Sequence, residues 1–364
     1  MIMSNTHAGA WRTRLLMILL LAIAGGLACC TDTPPPPRGA VATTAALPDD
    51  DDDADDEGAR HREQPAVGAE DVGGVGELGH GGEAGTRNEV DLDAAAPAAP
   101  LTDADFQRHA DDLRASIPDE FTIVIQRPFI VLGDESPATV RSRAINTVKW
   151  AVDRLKSRYF QCEPDHIITI WLFKDDESYT RNARDIFGER PTTPFGYYSP
   201  RHRALVMNIS TGGGTLVHEI VHPFISANFP QCPAWFNEGL ASLYEQASER
   251  EGQIIGLTNW RLAGLQDVIK AGELPSFKSL THTTTDEFYA DGGINYAQAR
   301  YLCYHLQERG LLKQYYDAFL SNADDDPTGY ATLMKVLGVE SEEAMAAWQQ
   351  QWEKFILDLR FAEE

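Results

Sequence analysis

Residues 215–222 read TLVHEIVH, and residues 234–245 read AWFNEGLASLYE. On a helix His218 and His222 stand four residues apart, one turn above each other on the same face, so their imidazoles can close on one metal ion. Glu219 sits about 100° around that helix, where its carboxylate could take a proton from a water activated by the metal. Leu216, Val217, Ile220 and Val221 are apolar, which makes the helix a buried one. Buried histidines and a buried glutamate need partners, because an unsatisfied polar group costs about 1–3 kcal/mol. A shared metal satisfies both imidazoles; an exposed, salt-bridged helix face is the bland alternative.

A zinc site takes three protein ligands and keeps a fourth position open. HEIVH matches H-E-x-x-H at all three fixed positions. One continuation of that motif places Gly three and His six residues after the second histidine. Those positions hold Ile225 and Asn228, so a third histidine is excluded. The other solution takes a glutamate from the next helix, and WFNEGLA supplies Glu238. The intervening segment, with Pro230 and Pro233, is long enough to turn a second helix back onto the first.

In these residues the chain resembles the gluzincin branch of zinc metallopeptidases, in the clan of thermolysin and the zinc aminopeptidases. In style it is similar to bacterial lipoproteins with a peptidase-MA-like domain. The resemblance spans 121–306 and includes the strand ALVMNIS and the turn TGGG before the first motif. It implies a zincin-like, two-lobed fold, with His218, His222 and Glu238 as Zn2+ ligands and Glu219 as general base. It also implies a second donor for the oxyanion, for which Tyr296 is the first choice, followed by Tyr289 and His305. The strand from Ala204 to Ile209 is expected to act as the edge that pairs with an extended substrate.

Two departures stand out. Pro223 directly follows His222 and predicts a kink or a helix end there. The Gly-x-Met-Glu-Asn amine-recognition motif of the exopeptidase branch is missing, so an endopeptidase acting on peptide or protein is the expectation. The alternative is a non-catalytic envelope lipoprotein that uses the same fold for binding or assembly. A zinc hydrolase of non-peptide amides shares the same residues.

Outward from the motifs, the folded part is expected over 101–364. Two β-rich runs occupy FTIVIQRPFIVLGD, and apolar residues at helical spacing run from Val140 to Phe160 behind Ser136 and Pro137. A strand in HIITIWLFKD, a helix ending at Gly188 and a hairpin with a second arm from Ala204 to Ile209 follow. From Thr215 onward helices are predicted over 215–227, 235–247, 259–271, 295–321, 327–337 and 341–358. Strands first and helices later predict an α+β domain with an N-terminal mixed sheet and a mostly helical C-terminal part.

The first hundred residues read differently. Arg12 and Arg14 precede the apolar run LLMILLLAIAGGLA, too short to span a bilayer comfortably, and then Cys29 and Cys30. Residues 1–30 are read as a lipoprotein signal peptide, with a lipid on Cys29 or Cys30 holding the chain to the bacterial envelope. Residues 31–100 contain no Phe, Trp, Tyr, Ile or Met and carry 17 acidic against 4 basic residues. Such a segment cannot bury enough apolar surface to offset its ordering entropy and is read as an acidic tether.

The net charge of −24 and the lack of a basic patch argue against nucleic-acid binding. Export permits a disulfide among Cys162, Cys232 and Cys303, with Cys162–Cys232 preferred from their polar surroundings. A monomer is expected.

Overall fold

Val131 and Ile130, adjacent in FIVLG, belong to different cores, and that split explains the sheet. A computed structural model describes residues 100–361 apart from Thr192 and Gly292; the segments expected to be a signal peptide, a lipidation site at Cys29 or Cys30 and a tether lie outside the described residues. Five strands, β1 (Thr122–Gln126), β2 (Phe129–Gly133), β3 (Ile168–Phe173), β4 (Gly196–Ser199) and β5 (Ala204–Asn208), form one sheet in the order β1-β2-β3-β5-β4. The two outer pairs are antiparallel, while β2–β3 and β3–β5 are parallel, so the sheet is mixed.

Successive side chains of a strand point to opposite faces. Phe129, Val131, Ile170, Leu172, Leu205 and Met207 enter a large core shared with most of the helices. Ile130, Leu132, Trp171, Phe173 and Val206 enter a smaller core with Phe106, Tyr179 and Phe187. Those last three come from α1 (Asp103–Ser116) and α4 (Asp176–Phe187). With both faces covered, the inner strands read as continuous apolar runs rather than as an alternation.

The Val140–Phe160 periodicity forms α2 (Pro137–Arg143), a π-helical stretch over Ala144–Lys149, and α3 (Trp150–Arg158). Ser136 caps it by accepting from the Thr139 N–H, with Pro137 in the first turn. Next to the sheet lie α5 (Gly213–Asn228) and α6 (Ala234–Leu243). The hairpin β6 (Ala247–Arg250) and β7 (Gln253–Gly256) interrupts the helical half. Then follow α7 (Arg261–Ala271), α8 (Phe277–Thr281), α9 (Thr285–Tyr289), α10 (Ile294–Glu308), α11 (Leu312–Ser321), α12 (Tyr330–Leu337) and α13 (Glu342–Asp358). The α+β class, the mixed sheet and the helical second half are therefore as expected.

Four expectations are corrected. The strand from Ala204 is not an edge: β4 folds back on it antiparallel, so β4 terminates the sheet. Pro223 does not end its helix, because proline removes a single N–H donor while Phe224 and Ile225 beyond it are buried in the large core. The helix predicted over 295–321 is two helices, separated where Gly310 takes φ 69° and the Leu311 N–H returns to the Leu306 carbonyl. Cys232 is a free thiol, so the Cys162–Cys232 pair is not formed.

Candidate metal centre

Helix α5 buries Leu216, Ile220 and Phe224 completely, which turns His218 and His222 toward α6. Helix α6 is held on its far side by Trp235 and Phe236, whose rings pack on Tyr315 and Phe319 of α11. Trp235 also donates its indole N–H to the Thr328 carbonyl at 2.9 Å. At the other end of α6, the buried Arg300 of α10 donates to the carbonyls of Ser242 and Leu243 at 2.9 and 3.4 Å. Those carbonyls are among the four a helix leaves unpaired at its C-terminus. Between these anchors Gly239 lies against α10, where an added Cβ would sit 3.0 Å from the Ala299 carbonyl oxygen. Glycine at this point of NEGLA lets the two helices approach.

The consequence is convergence. The ligand atoms of His218, His222 and Glu238 all lie within 4.8 Å of one another, and the three can hold a metal ion. Glu238 Oε2 stands 3.2 Å from His218 Nε2 and 3.9 Å from His222 Nε2. It is buried and makes no hydrogen bond. A carboxylate oxygen without a hydrogen bond of good geometry faces two imidazole nitrogens, a donor set that a divalent metal could satisfy at once. Tetrahedral zinc ligands at about 2.0–2.2 Å stand about 3.3–3.6 Å apart, so the spacing of Glu238 to His218 already fits and that to His222 is a few tenths of an ångström long.

Each histidine is also held from behind. His222 Nδ1 is 2.9 Å from Asn237 Oδ1. An amide oxygen only accepts, so Nδ1 carries the hydrogen and Nε2 keeps its lone pair for a metal. His218 Nδ1 lies 3.2 Å from Glu245 Oε1. Arg261 grips that carboxylate with two bonds of 2.9 and 2.8 Å, and Asn259 Nδ2 adds a third at 3.1 Å. Asn237 and Glu245 escape a search for ligands, although both lie within AWFNEGLASLYE; Glu245 lies in the turn after α6, so no helical period from Glu238 points it at His218. Replacing Glu245 by Gln is expected to weaken zinc binding about 10–100-fold, measured by competition with a chromogenic chelator. Unchanged affinity would separate Glu245 from the metal centre.

Burial pulls the His218 pKa down, but the carboxylates of Glu238 and Glu245 outweigh it and raise it to about 10. Burial acts on those two carboxylates in the opposite sense. Glu238 is nevertheless lowered to about 2 by His218, His222 and Tyr289, and Glu245 to about 2 by Arg261 and His218. In the metal-free chain His218 is thus protonated at neutral pH and must lose that proton to become a ligand. A metal competes with that proton, so its affinity rises with pH throughout the range below about 10 and levels off above it. Calorimetry at pH 7 in buffers of differing ionisation enthalpy is expected to register about one proton released per zinc bound.

Glu219 is half-buried on α5, and among the described residues its carboxylate has no hydrogen-bond or ion-pair partner. Its charge is felt at His218, Tyr289 and Tyr296, which places it at the same cleft. The three candidate donors separate. Tyr289 donates its hydroxyl to Glu238 Oε1 at 2.6 Å. Tyr296 lies beside it, ring centroids 6.0 Å apart, with the Arg261 guanidinium 5.3 Å from its own ring. Burial, then the Glu238 charge, raise the pKa of both phenols, so both remain O–H donors. His305 does not join the site: its ring packs against Phe355 and Trp348, and burial lowers its pKa to about 4.

Sequence comparison gives no matching protein-family model and no matching curated protein.

Proposed function

We propose that this chain is a zinc-dependent peptidase of the gluzincin type, with a zincin-like fold, acting as an endopeptidase. The convergence of His218, His222 and Glu238 around an unsatisfied carboxylate oxygen carries the reading, and Glu219 beside them, without a partner among the described residues, supports a reaction rather than a purely structural site. A bound zinc would polarise a carbonyl and lower the pKa of a water in the cleft toward neutrality. Glu219 has a free carboxylate to take the proton of that water and pass it to the leaving amine. The phenol of Tyr289, at the ligand shell, is within reach of an oxyanion developing at the attacked carbonyl; Tyr296 stands behind it. Arg261, through Glu245, keeps His218 oriented. The open flank of β4, the terminal strand, supplies backbone groups for an extended chain.

The N-terminal reading places this activity at the bacterial cell envelope, with the chain anchored through lipid on Cys29 or Cys30.

The test is metal analysis of the purified chain followed by cleavage of a mixed peptide library, before and after chelation and with zinc restored. About one equivalent of zinc and cleavage lost and regained with the metal are expected. Full zinc loading with no cleavage would overturn the peptidase reading, and no zinc at all would overturn the site.

A further inference from the structure

Arg300 of α10 is fully buried, and its guanidinium bonds carbonyls rather than a carboxylate: those of Ser242, Leu243 and Leu257, with Nη1 left unpaired. An ionised group taken out of water without an opposite charge in contact is costly. Capping the C-terminus of α6 accounts for two of those bonds. The third, to Leu257, lies outside that helix and needs another reason.

Leu257 opens the short segment between β7 and α7, and that segment carries the groups that hold Glu245. Asn259, fully buried, donates to Glu245 Oε2 at 3.1 Å, and its own side-chain oxygen accepts from the Arg261 N–H at 3.2 Å. Arg261 supplies the two-bond grip on the same carboxylate. Helix α10 holds this segment at three points. Gln307 bonds the N–H and the carbonyl of Gly256 at 2.7 and 2.9 Å, and Arg300 takes the Leu257 carbonyl. The Tyr301 hydroxyl accepts from the Asn259 N–H at 3.0 Å and donates to its carbonyl at 3.2 Å. Of these three side chains, Arg300 also bonds α6, at Leu243 and Ser242, two and three positions before Glu245. One planar fork therefore ties the stretch that carries Glu245 to the stretch that carries its partners.

We infer that Arg300 is a positioning residue for the metal centre: it fixes the end of α6 against the Leu257–Arg261 segment and so keeps the Glu245 carboxylate seated behind His218. This role rests on the metal-binding part of the zinc-peptidase reading and holds whatever the enzyme cleaves. The fork matters as well as the charge, because two separate segments need donors at a set spacing, which a guanidinium supplies and an ammonium does not. A plain helix cap would behave differently, since it would affect stability and act independently of Glu245.

The test is a double-mutant cycle on zinc binding by the full chain, read by competition with a chromogenic chelator. Arg300→Met removes the fork, and Glu245→Gln removes the charge through which it acts. Arg300→Met is expected to bind zinc about tenfold more weakly than the unsubstituted chain. The double variant is expected to match Glu245→Gln within about twofold, because the two residues act in series. Arg300→Lys keeps the charge without the fork and is expected to lose about threefold or more; it takes the place of the Met variant in the cycle if that one does not fold. Undiminished zinc affinity in either folded variant, or losses that multiply in the double variant, overturns the role of Arg300. An unsubstituted chain that binds no zinc overturns the metal centre together with it. Zinc binding and a coupled cycle without any peptide cleavage overturn the peptidase reading alone.

Discussion

Glu219→Gln is expected to retain about one equivalent of zinc and to lose about 10²–10⁴-fold in peptide cleavage. The substitution keeps the shape of the side chain and removes its ability to accept a proton at neutral pH. Glu219 is not among the three converging ligands, so metal content is expected to match that of the unsubstituted chain. It also makes no hydrogen bond or ion pair among the described residues, so little stability is at stake and the thermal midpoint should barely move. Loss of cleavage with metal and fold intact is the pattern of a base. Metal analysis, thermal melting and a fluorogenic peptide assay on one preparation suffice. Unimpaired cleavage would remove Glu219 from the reaction, and a parallel loss of zinc would make it a ligand instead.

The second large effect concerns the glycine turn that opens α5. A Cβ on Gly214 would lie 1.9 Å from the Glu245 carbonyl oxygen and 2.9 Å from its carbonyl carbon, whereas one on Gly213 would meet only Thr147 Cγ2 at 3.5 Å. The first contact is with backbone, which cannot swing aside as a side-chain tip can. Gly214→Ala must therefore push the start of α5 away from the end of α6. Overpacking of this kind costs about 1–3 kcal/mol, and at about 2–4 °C per kcal/mol in a domain of this size a drop of about 2–12 °C in thermal midpoint is expected. Because Glu245 is the residue displaced, and its carboxylate stands behind His218, zinc affinity is expected to fall as well. Gly213→Ala, one residue earlier, is expected to change neither by a measurable amount. Equal behaviour of the two alanine variants would show that the start of α5 and the end of α6 do not press on each other.

The convergence of His218, His222 and Glu238, with Glu219 beside them, was legible because a helix turns identical spacing into identical facing. HEIVH names its own geometry, and NEGLA supplies a third ligand on the neighbouring helix. The sheet was legible from composition in β form: FIVLG, ITIWLF and ALVMN are almost wholly apolar, broken only by Thr169 and the terminal Asn208, as strands covered on both faces are. The edge was not legible. ALVMN reads alike as a terminal or an inner strand, and only the short β4, lying antiparallel against it, decides the matter. Pro223 misled for a related reason: its local cost is fixed by the backbone, but whether the helix continues depends on Phe224 and Ile225 finding a buried place.

The sequence by itself therefore determined which residues could share a metal, which carboxylate stood beside them, and that strands precede helices. All of these follow from periodicity within one element. Tertiary structure alone decided what stands behind and around that centre. Asn237 and Glu245 orient the imidazoles, Arg261 is spent on Glu245, and Tyr289 reaches Glu238 from fifty-one positions along the chain. Such pairings join elements whose separation in sequence carries no period, so their contact depends on packing rather than on spacing.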